Sequence, residues 1–260
     1  MKKVFVNGYG SIGSRITKFI KDDPDIDVVG IGKHSSNEKV QHVINDGFSV
    51  YVPGDKIDNF KNYDISGSIE SVIDNCDLVI DASPGGNGFV NKKNIYEPKG
   101  IKAIFQGGET IFNDNAVADI LFNSRVNYTE AFNKKYVMQG SCNVTGMGRI
   151  LNPLREKYAD KLVRFDATLI RRWADLEQTD KQTVDTIEMT EQPHHGTDVK
   201  AYFGKDAPLF VRAIKVPTKQ MHLHIMDIRF NGNAPTSNEI HELFKNEYGV
   251  AILWTAKGTK

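Results

Sequence analysis

Short apolar runs alternate with helix-spaced apolar positions over the first 140 residues. Runs at residues 4–6, 28–31 and 78–80 have the length and composition of buried strands. Apolar residues recur at helical spacing over 11–21, and Pro24 ends that helix. Further strands are predicted at 102–105 and 136–138. Short apolar strands that alternate with helices and end at glycines predict a parallel α/β sheet.

The pattern changes after Gly140. Strands are predicted at 162–170, 210–216 and 222–230, with fewer helices between them, which favours a mixed or antiparallel sheet. An amphipathic helix is predicted over 238–246 with Ser237 as its N-cap. We therefore expect two domains, residues 1–140 and 141–260.

Composition and charge exclude several classes of protein. Lys plus Arg equals Asp plus Glu at 33 each, so no polyanion-binding surface and no nucleic-acid partner are expected. No apolar run is long enough for a transmembrane helix, and the N-terminus enters a strand directly, so neither a membrane span nor a signal peptide is expected. The two cysteines, Cys76 and Cys142, form no disulfide scaffold and indicate a reducing, cytoplasmic location. Cys76 is interpreted as a small buried apolar residue.

A glycine pattern joins the first strand to the first helix. Gly8, Gly10 and Gly13 form Gly-x-Gly-x-x-Gly in the strand–turn–helix context that dinucleotide binding requires. The helix N-terminus near Ser11 and Ile12 would offer N–H groups and a positive dipole end to a pyrophosphate. The alternative is a plain glycine-rich turn. The favoured fold is an α/β protein with an N-terminal Rossmann-type parallel sheet and a second, α+β domain built on a mixed or antiparallel sheet.

Residues that follow the later strands indicate which dinucleotide the chain binds and where it would fit. Many NAD sites place a carboxylate after the second strand, whereas this chain has Lys33 and His34 followed by two serines. A cation and hydroxyls suit a 2′-phosphate, so NADP is expected, alone or together with NAD. The alternative is that Lys33 is a solvated surface charge. Glycines at 85–86 and 107–108 would leave room for the cofactor, or would serve only as turns.

Cys142 is the candidate nucleophile. It follows a predicted strand and precedes a helical stretch at 147–158, so it is expected near a helix N-terminus, where a thiolate is stabilised. Backbone N–H groups around Cys142 and Asn143 would stabilise an oxyanion. The alternative is an inert buried cysteine.

Histidines and an arginine are candidates for the base and for anion binding. His222 and His224 alternate along a predicted strand, so both are expected on one face. His194 and His195 lie in a predicted polar loop, and Arg171 ends an apolar strand. A metal site is disfavoured because no carboxylate or cysteine cluster has metal-ligand spacing.

Several segments together resemble one family. The segments are Val6 to Gly13, Gln106 to Glu109, Ser141 to Gly146, Arg171-Arg172, His194 to Gly196 and Pro217 to His224. In this order, along essentially the whole chain, they resemble archaeal-type (type II) phosphorylating glyceraldehyde-3-phosphate dehydrogenase. The Ser-Cys-Asn-x-Thr-Gly and Met-His-x-His segments are the most specific.

The resemblance implies roles for these residues. Ser11, Ile12, Gly108 and Arg171 would contact NAD(P), and Cys142 would be the nucleophile. One of the two Met-His-x-His histidines would be the base, with His222 slightly favoured. The remaining expected substrate contacts are Ser141, Asn143, Thr145, His194 and His195.

The resemblance also implies an activity and a difference in length. Glyceraldehyde 3-phosphate would be oxidised through a Cys142 thiohemiacetal and thioester, which inorganic phosphate then attacks, in glycolysis or gluconeogenesis. A homo-oligomer, a tetramer in this family, is expected. The chain lacks the family's C-terminal part, so we expect lower stability and poor activity. The alternatives are an aspartate-semialdehyde or acyl-phosphate reductase, or an NADP-binding chain without turnover.

Overall fold

The computed structural model describes residues 1–106, 108–174, 182 and 184–253, and it divides into two compact units. The first unit comprises Met1–Phe122 and Thr129–Gly140. The second comprises Asn123–Tyr128 and Ser141–Lys260. The short segment Asn123–Tyr128 therefore belongs to the second unit although it precedes the last strand of the first. No helix among the described residues is both long and apolar enough to cross a membrane.

The first unit is built on one sheet of eight strands. They are β1 Lys2–Asn7, β2 Ile26–Gly32, β3 Val50–Val52, β4 Gly67–Ser68, β5 Leu78–Asp81, β6 Lys102–Phe105, β7 Leu121–Phe122 and β8 Tyr136–Gln139. Their order is β4-β3-β2-β1-β5-β6-β8-β7, and every neighbouring pair is parallel. The predicted parallel sheet is confirmed, because the apolar runs of the central strands are buried as expected.

Five helices belong to this unit, and they cover the sheet. They are α1 Ser11–Ile20, α2 Lys39–Asn45, α3 Ile69–Ile73, α4 Asn87–Asn91 and α5 Glu97–Lys99. A π-helical turn, Lys92–Tyr96, joins α4 to α5, and 3₁₀ turns occupy Gly54–Phe60 and Tyr128–Ala131. Val4, Val6 and Ile31 of the sheet are fully buried with Val40 and Val43 of α2 in one apolar core. This core holds the carboxyl ends of β1 and β2 in place.

The second unit is built on a mixed sheet of four strands. They are β9 Leu162–Arg172, β10 Glu188–Thr190, β11 Leu209–Val216 and β12 Leu223–Phe230, in the order β10-β11-β9-β12. The β11–β9 pair is parallel and the other two pairs are antiparallel. The helices are α6 Cys142–Tyr158, α7 His194–Phe203 and α8 Ser237–Phe244. Phe165, Ala167 and Leu169 point to the buried face of the sheet, and α6 and α7 pack on this unit's strands.

Three boundaries differ from the sequence prediction. Helix α6 begins at Cys142 rather than near 147, because Ser141 caps it. Residues His194 and His195 begin helix α7 and are not in a loop. Helix α8 is capped by Thr236 and not by Ser237. The Thr236 hydroxyl accepts from the Glu239 N–H at 3.3 Å while the Glu239 carboxylate accepts from the Thr236 N–H at 2.8 Å, which is a capping box.

Candidate functional site

Two glycines of the first turn are required by packing. Gly8 has φ of +116°, and a methyl group there would lie 2.7 Å from the carbonyl oxygen of Ala82. A methyl group on Gly13 would overlap the carbonyl oxygen of Gly8. Only glycine allows both the turn and the close approach of helix α1 to the sheet.

Gly10 has a different environment. A methyl group on Gly10 would meet no protein atom within 4 Å, so packing does not explain its lack of a side chain. Gly10 is the N-cap of α1 and supplies no side-chain hydrogen bond, and Ser11 and Ile12 form the first turn at the positive end of the helix dipole. Open space beside this helix end fits a pyrophosphate that approaches the backbone.

Lys33 lies directly after β2 and is only 8% exposed. The interpretation of Lys33 as a solvated surface charge is therefore wrong. Burial, and secondarily Lys39, lowers the pKa of its ammonium group. No carboxylate among the described residues pairs with this ammonium group. A partly buried cation without a protein counter-charge fits an anionic ligand group at the end of the second strand.

A buried polar network lies at the carboxyl ends of β1 and β5. The Asn7 amide nitrogen donates to the Tyr96 hydroxyl at 2.8 Å and lies 3.4 Å from Asp81 Oδ2. The Tyr96 hydroxyl donates to Asp81 Oδ2 at 2.6 Å, and the Asn91 amide donates to the same oxygen at 2.8 Å. His34 joins through Nε2, 2.7 Å from Asn7 Oδ1. Sequence reasoning missed this network, although polar residues that end buried strands were a usable signal.

The two later glycine loops approach each other closely. A methyl group on Gly85 would lie 3.0 Å from the carbonyl oxygen of Gly108, while Gly107 lies outside the described residues. The Glu109 carboxylate accepts from the N–H groups of Gly86 at 2.8 Å and Gly88 at 2.9 Å. Burial raises the pKa of this carboxyl group. Glu109 therefore fixes the loop that follows β5.

Cys142 is the first residue of helix α6 and is exposed. The Ser141 hydroxyl accepts from the Val144 N–H at 3.4 Å, and the Thr145 N–H donates to the Ser141 carbonyl at 2.8 Å. The N–H groups of Cys142 and Asn143 lie in the first turn, where a helix provides no acceptor for them. The alternative of an inert buried cysteine is therefore wrong for Cys142.

Cys76 has the opposite environment. It is half-buried, and its thiol donates to the carbonyl oxygen of Val72 at 3.1 Å. Burial, followed by the charge of Asp77, raises the pKa of the Cys76 thiol to about 11. A thiol with a raised pKa is a poor nucleophile at neutral pH.

Asn143 links the cysteine to two histidines. Its side chain is buried, and Oδ1 lies 2.8 Å from His224 Nε2. Its amide nitrogen lies 3.4 Å from His195 Nε2 and 4.0 Å from the Cys142 sulfur. The structure thus brings three of the other predicted site residues together around the Asn143 amide group, an arrangement that no local sequence pattern indicates.

The two histidines of the Met-His-x-His segment have different positions. His224 lies within β12, and burial lowers the pKa of its imidazole. His222 precedes the strand and follows Met221, which has φ of +56°. The Arg172 N–H donates to His222 Nδ1 at 3.3 Å. Both histidines are half-buried and Leu223 between them is exposed, which agrees with the predicted alternation, although the strand itself begins only at Leu223.

His194 and His195 stack at the start of α7, with ring centroids 4.0 Å apart. Burial, followed by the charges of His194 and Arg171, lowers the pKa of His195 to about 3. The Nδ1 atom of His195 and the Nε atom of Arg171 are buried without a hydrogen-bond partner among the described residues. Unpartnered nitrogen atoms around a guanidinium group fit an anionic substrate group. Burial also raises the pKa of nearby Asp198 to about 6.

The histidines do not form a metal site with carboxylates or cysteines. Within the described ranges, no group of three or more His, Cys, Asp or Glu side chains is placed to hold a metal ion. The groups that the cluster offers for chemistry are a thiol, imidazoles, an amide and a guanidinium group.

Comparisons with known proteins identify clear relatives. No family model matches the chain. Glyceraldehyde-3-phosphate dehydrogenase of Sulfolobus acidocaldarius is 35% identical over 260 residues, which cover 98% of this chain and 73% of the relative. The enzyme of the same name from Methanopyrus kandleri is 35% identical, covering 98% and 74%, and that of Halobacterium salinarum is 34% identical, covering 97% and 75%.

A solved structure shares the fold. The crystal structure of aspartate semialdehyde dehydrogenase with NADP from Candida albicans superposes with a TM-score of 0.64 over 94% of this chain and 76% of that chain. The sequence identity is 16%, so this likeness shows the fold alone.

Proposed function

Because the chain belongs to the family of archaeal glyceraldehyde-3-phosphate dehydrogenases, we propose that it oxidises D-glyceraldehyde 3-phosphate to 1,3-bisphosphoglycerate with inorganic phosphate as second substrate. Family membership makes the chain an NAD(P)-dependent oxidoreductase. The observation that carries the finer proposal is the contact of Asn143 with both His224 and the exposed Cys142. An accessible thiol beside an imidazole is the arrangement that covalent aldehyde oxidation needs.

The first unit would hold the dinucleotide. Its glycine turn and the first turn of α1 fit the pyrophosphate, and Lys33 fits a 2′-phosphate. When bound, NAD(P) supplies the hydride acceptor. The complete set of residues proposed to contact it is Gly8, Gly10, Ser11, Ile12, Gly13, Lys33, His34, Gly108 and, by family resemblance, Arg171. Apart from Arg171, these residues lie within 1–140, to which we assign cofactor binding, and we assign the chemistry to residues 141–260.

The second unit would carry out the covalent chemistry. The Cys142 thiolate attacks the aldehyde carbon and gives a thiohemiacetal, whose oxygen the first-turn N–H groups stabilise. His224 takes the hydroxyl proton as the carbon is oxidised to a thioester. Inorganic phosphate then attacks the thioester carbon, and the thiolate leaves, releasing the acyl phosphate.

Polar and charged side chains of the second unit are the proposed binding groups for phosphate. Arg171 Nε and His195 Nδ1 have no hydrogen-bond partner among the described residues, and His194 Nε2 lies 4.0 Å from the Asp198 carboxylate. These groups suit the phosphate of the aldehyde or the attacking phosphate. Ser141, Asn143 and Thr145 surround the nucleophile at the start of α6. A reduced thiol nucleophile suits a reducing compartment, and we propose the cytoplasm.

The test is a rate measurement with the purified chain. NADP reduction by glyceraldehyde 3-phosphate is expected to accelerate strongly when inorganic phosphate is added, because phosphate regenerates the thiolate. Aspartate semialdehyde in place of the triose phosphate serves as the control for substrate class. Faster reduction with aspartate semialdehyde would contradict the proposed substrate. If the chain binds NADP but none of these mixtures reduces it, the proposed enzymatic function is wrong.

The face of the second sheet opposite α6 and α7 is the proposed surface for self-association. Leu223 and Ile225 of β12 are 58% and 51% exposed, and Met189 of β10 is 61% exposed. The strand pairing puts Leu223 beside Ile170 of β9, Ile170 beside Ile214 of β11, and Ile214 beside Met189. These four apolar residues therefore form one row across this face of the sheet. Contiguous exposed apolar side chains of this kind mark protein–protein interfaces. We propose that a second copy of the chain covers them.

Ile225→Asp is expected to convert the oligomer into monomers, because an unpaired carboxylate at the centre of an apolar interface is costly. Sedimentation velocity measures the change directly. Lys205→Asp, on an exposed turn outside the sheet, is the matched control and should leave the oligomer intact. An unchanged sedimentation coefficient for Ile225→Asp would exclude this face as the interface.

A further inference from the structure

His34 occupies the position that distinguishes the two dinucleotides. It follows Lys33 after β2, where a carboxylate would accept the ribose hydroxyl of NAD. The residues that follow β2 here, from Lys33 to Ser36, include no carboxylate. An imidazole is the one side chain at this position whose charge changes near neutral pH.

Hydrogen bonds fix which ring nitrogen of His34 titrates. The Tyr96 hydroxyl gives its proton to Asp81, so its oxygen must accept from the amide nitrogen of Asn7. The Asn7 carbonyl oxygen therefore faces His34 Nε2 at 2.7 Å and can only accept. His34 Nε2 must carry a hydrogen, and in the neutral ring the lone pair lies on Nδ1. Protonation of His34 thus turns Nδ1 from an acceptor into a donor.

The charges around His34 keep the free protein in the neutral form. Burial is the largest influence, and it lowers the pKa of His34. The positive charges of Lys56 and Lys33 also lower this pKa, whereas the negative charges of Asp81 and Glu70 raise it. The net direction is downward from 6.5, so the imidazole is mostly neutral at pH 7.

We propose that His34 makes the choice between NADP and NAD depend on pH. The protonated ring, together with Lys33, would bind the 2′-phosphate of NADP through Nδ1–H. The neutral ring would accept a hydrogen bond from the free 2′-hydroxyl of NAD at the same atom. The inference rests on the proposed dinucleotide site of the first unit.

The sign of the effect follows from linkage. A dianionic phosphate favours protonated His34, so NADP binding raises its pKa and takes up a proton from solvent. NADP affinity is then lost as pH rises through the pKa of the complex, while NAD affinity is not. A pKa rise of about one unit on binding corresponds to about a tenfold change in affinity. The 2′-phosphate itself takes up a proton near pH 6, which reduces its negative charge. This loss of charge weakens NADP binding at low pH and so opposes the contribution of protonated His34.

The experiment measures binding without aldehyde. Isothermal titration calorimetry gives Kd for NADP and NAD between about pH 6 and 8, the range over which histidine ordinarily titrates. Two buffers of different ionisation enthalpy report proton uptake by the unaltered protein. The ratio of NADP to NAD affinity should fall about five- to tenfold with rising pH, beyond the contribution of the phosphate itself.

His34→Gln measures the pH dependence of the affinity ratio that remains without the imidazole, because glutamine can donate to Asn7 and does not titrate. His42→Gln, on the exposed side of α2, is the matched control and should keep the pH dependence of the unaltered chain. An identical pH dependence of the affinity ratio in the unaltered chain and in His34→Gln would overturn the inference while leaving the cofactor site standing. Failure of both dinucleotides to bind would overturn the proposed function as well.

Discussion

Replacement of Cys142 by serine is expected to lower kcat for glyceraldehyde 3-phosphate oxidation by at least about a thousandfold. A serine hydroxyl is a much weaker nucleophile than a cysteine thiol. An oxygen ester is also a poorer acyl donor to phosphate than a thioester. Steady-state NADP reduction measures the loss, and NADP binding should be unchanged.

Cys76→Ser is the matched control for this prediction. The Cys76 thiol donates to the Val72 carbonyl, and a serine hydroxyl can keep that bond. Its turnover should therefore stay close to that of the unaltered chain. Iodoacetamide at neutral pH should label Cys142 first and inactivate the protein, because Cys142 is exposed whereas the pKa of Cys76 is raised to about 11. Full turnover in Cys142→Ser would show that the nucleophile is wrongly assigned.

Sequence patterns predicted the first unit best. Central strands such as β1 and β5 are short apolar runs buried on both faces, so local composition identifies them. Gly8 and Gly13 have packing roles that follow from the strand–turn–helix context alone. The pattern did not reveal that Gly10 faces open space, which depends on neighbours distant in sequence.

Sequence patterns predicted which residues form the candidate site, but they did not predict which of these residues contact one another. Asn143 contacts His195 and His224 at sequence separations of 52 and 81 residues, and no local signal encodes these contacts. The ambiguity between His222 and His224 had a local cause. Period-two alternation treats both histidines alike, and it does not say that the strand begins at Leu223, so that only His224 lies within β12.

Local hydrogen bonding decided the helix boundaries that the sequence reading missed. Ser141 caps α6 immediately before the nucleophile, so Cys142 is the first residue of the helix and the site lies in its first turn. Thr236 and Ser237 are neighbours, and each carries a hydroxyl group that could cap α8. The position of Glu239, three residues after Thr236, decides between them, because only that spacing closes a capping box.

Replacement of His224 by asparagine is expected to lower kcat by about a hundredfold to ten-thousandfold, the usual cost of losing a general base. Asparagine can still bond to the Asn143 side chain, so the loss would reflect the missing base. Burial lowers the pKa of His224, so the neutral, basic form prevails at pH 7. The base is lost as pH falls through that pKa, so the acidic limb of the kcat profile should lie below 6.5 and should vanish in His224→Asn.

His222→Asn separates this assignment from its alternative. His222 Nδ1 accepts from the Arg172 N–H, an interaction that holds the segment before β12, whereas it is His224 that bonds to the Asn143 side chain. We expect His222→Asn to lower kcat less than about tenfold and to keep the acidic limb, because a positioning contact does not transfer the proton. If instead the limb disappears in His222→Asn and survives in His224→Asn, the base is His222. The Asn143–His224 hydrogen bond would then serve only to hold the first turn of α6 against the sheet.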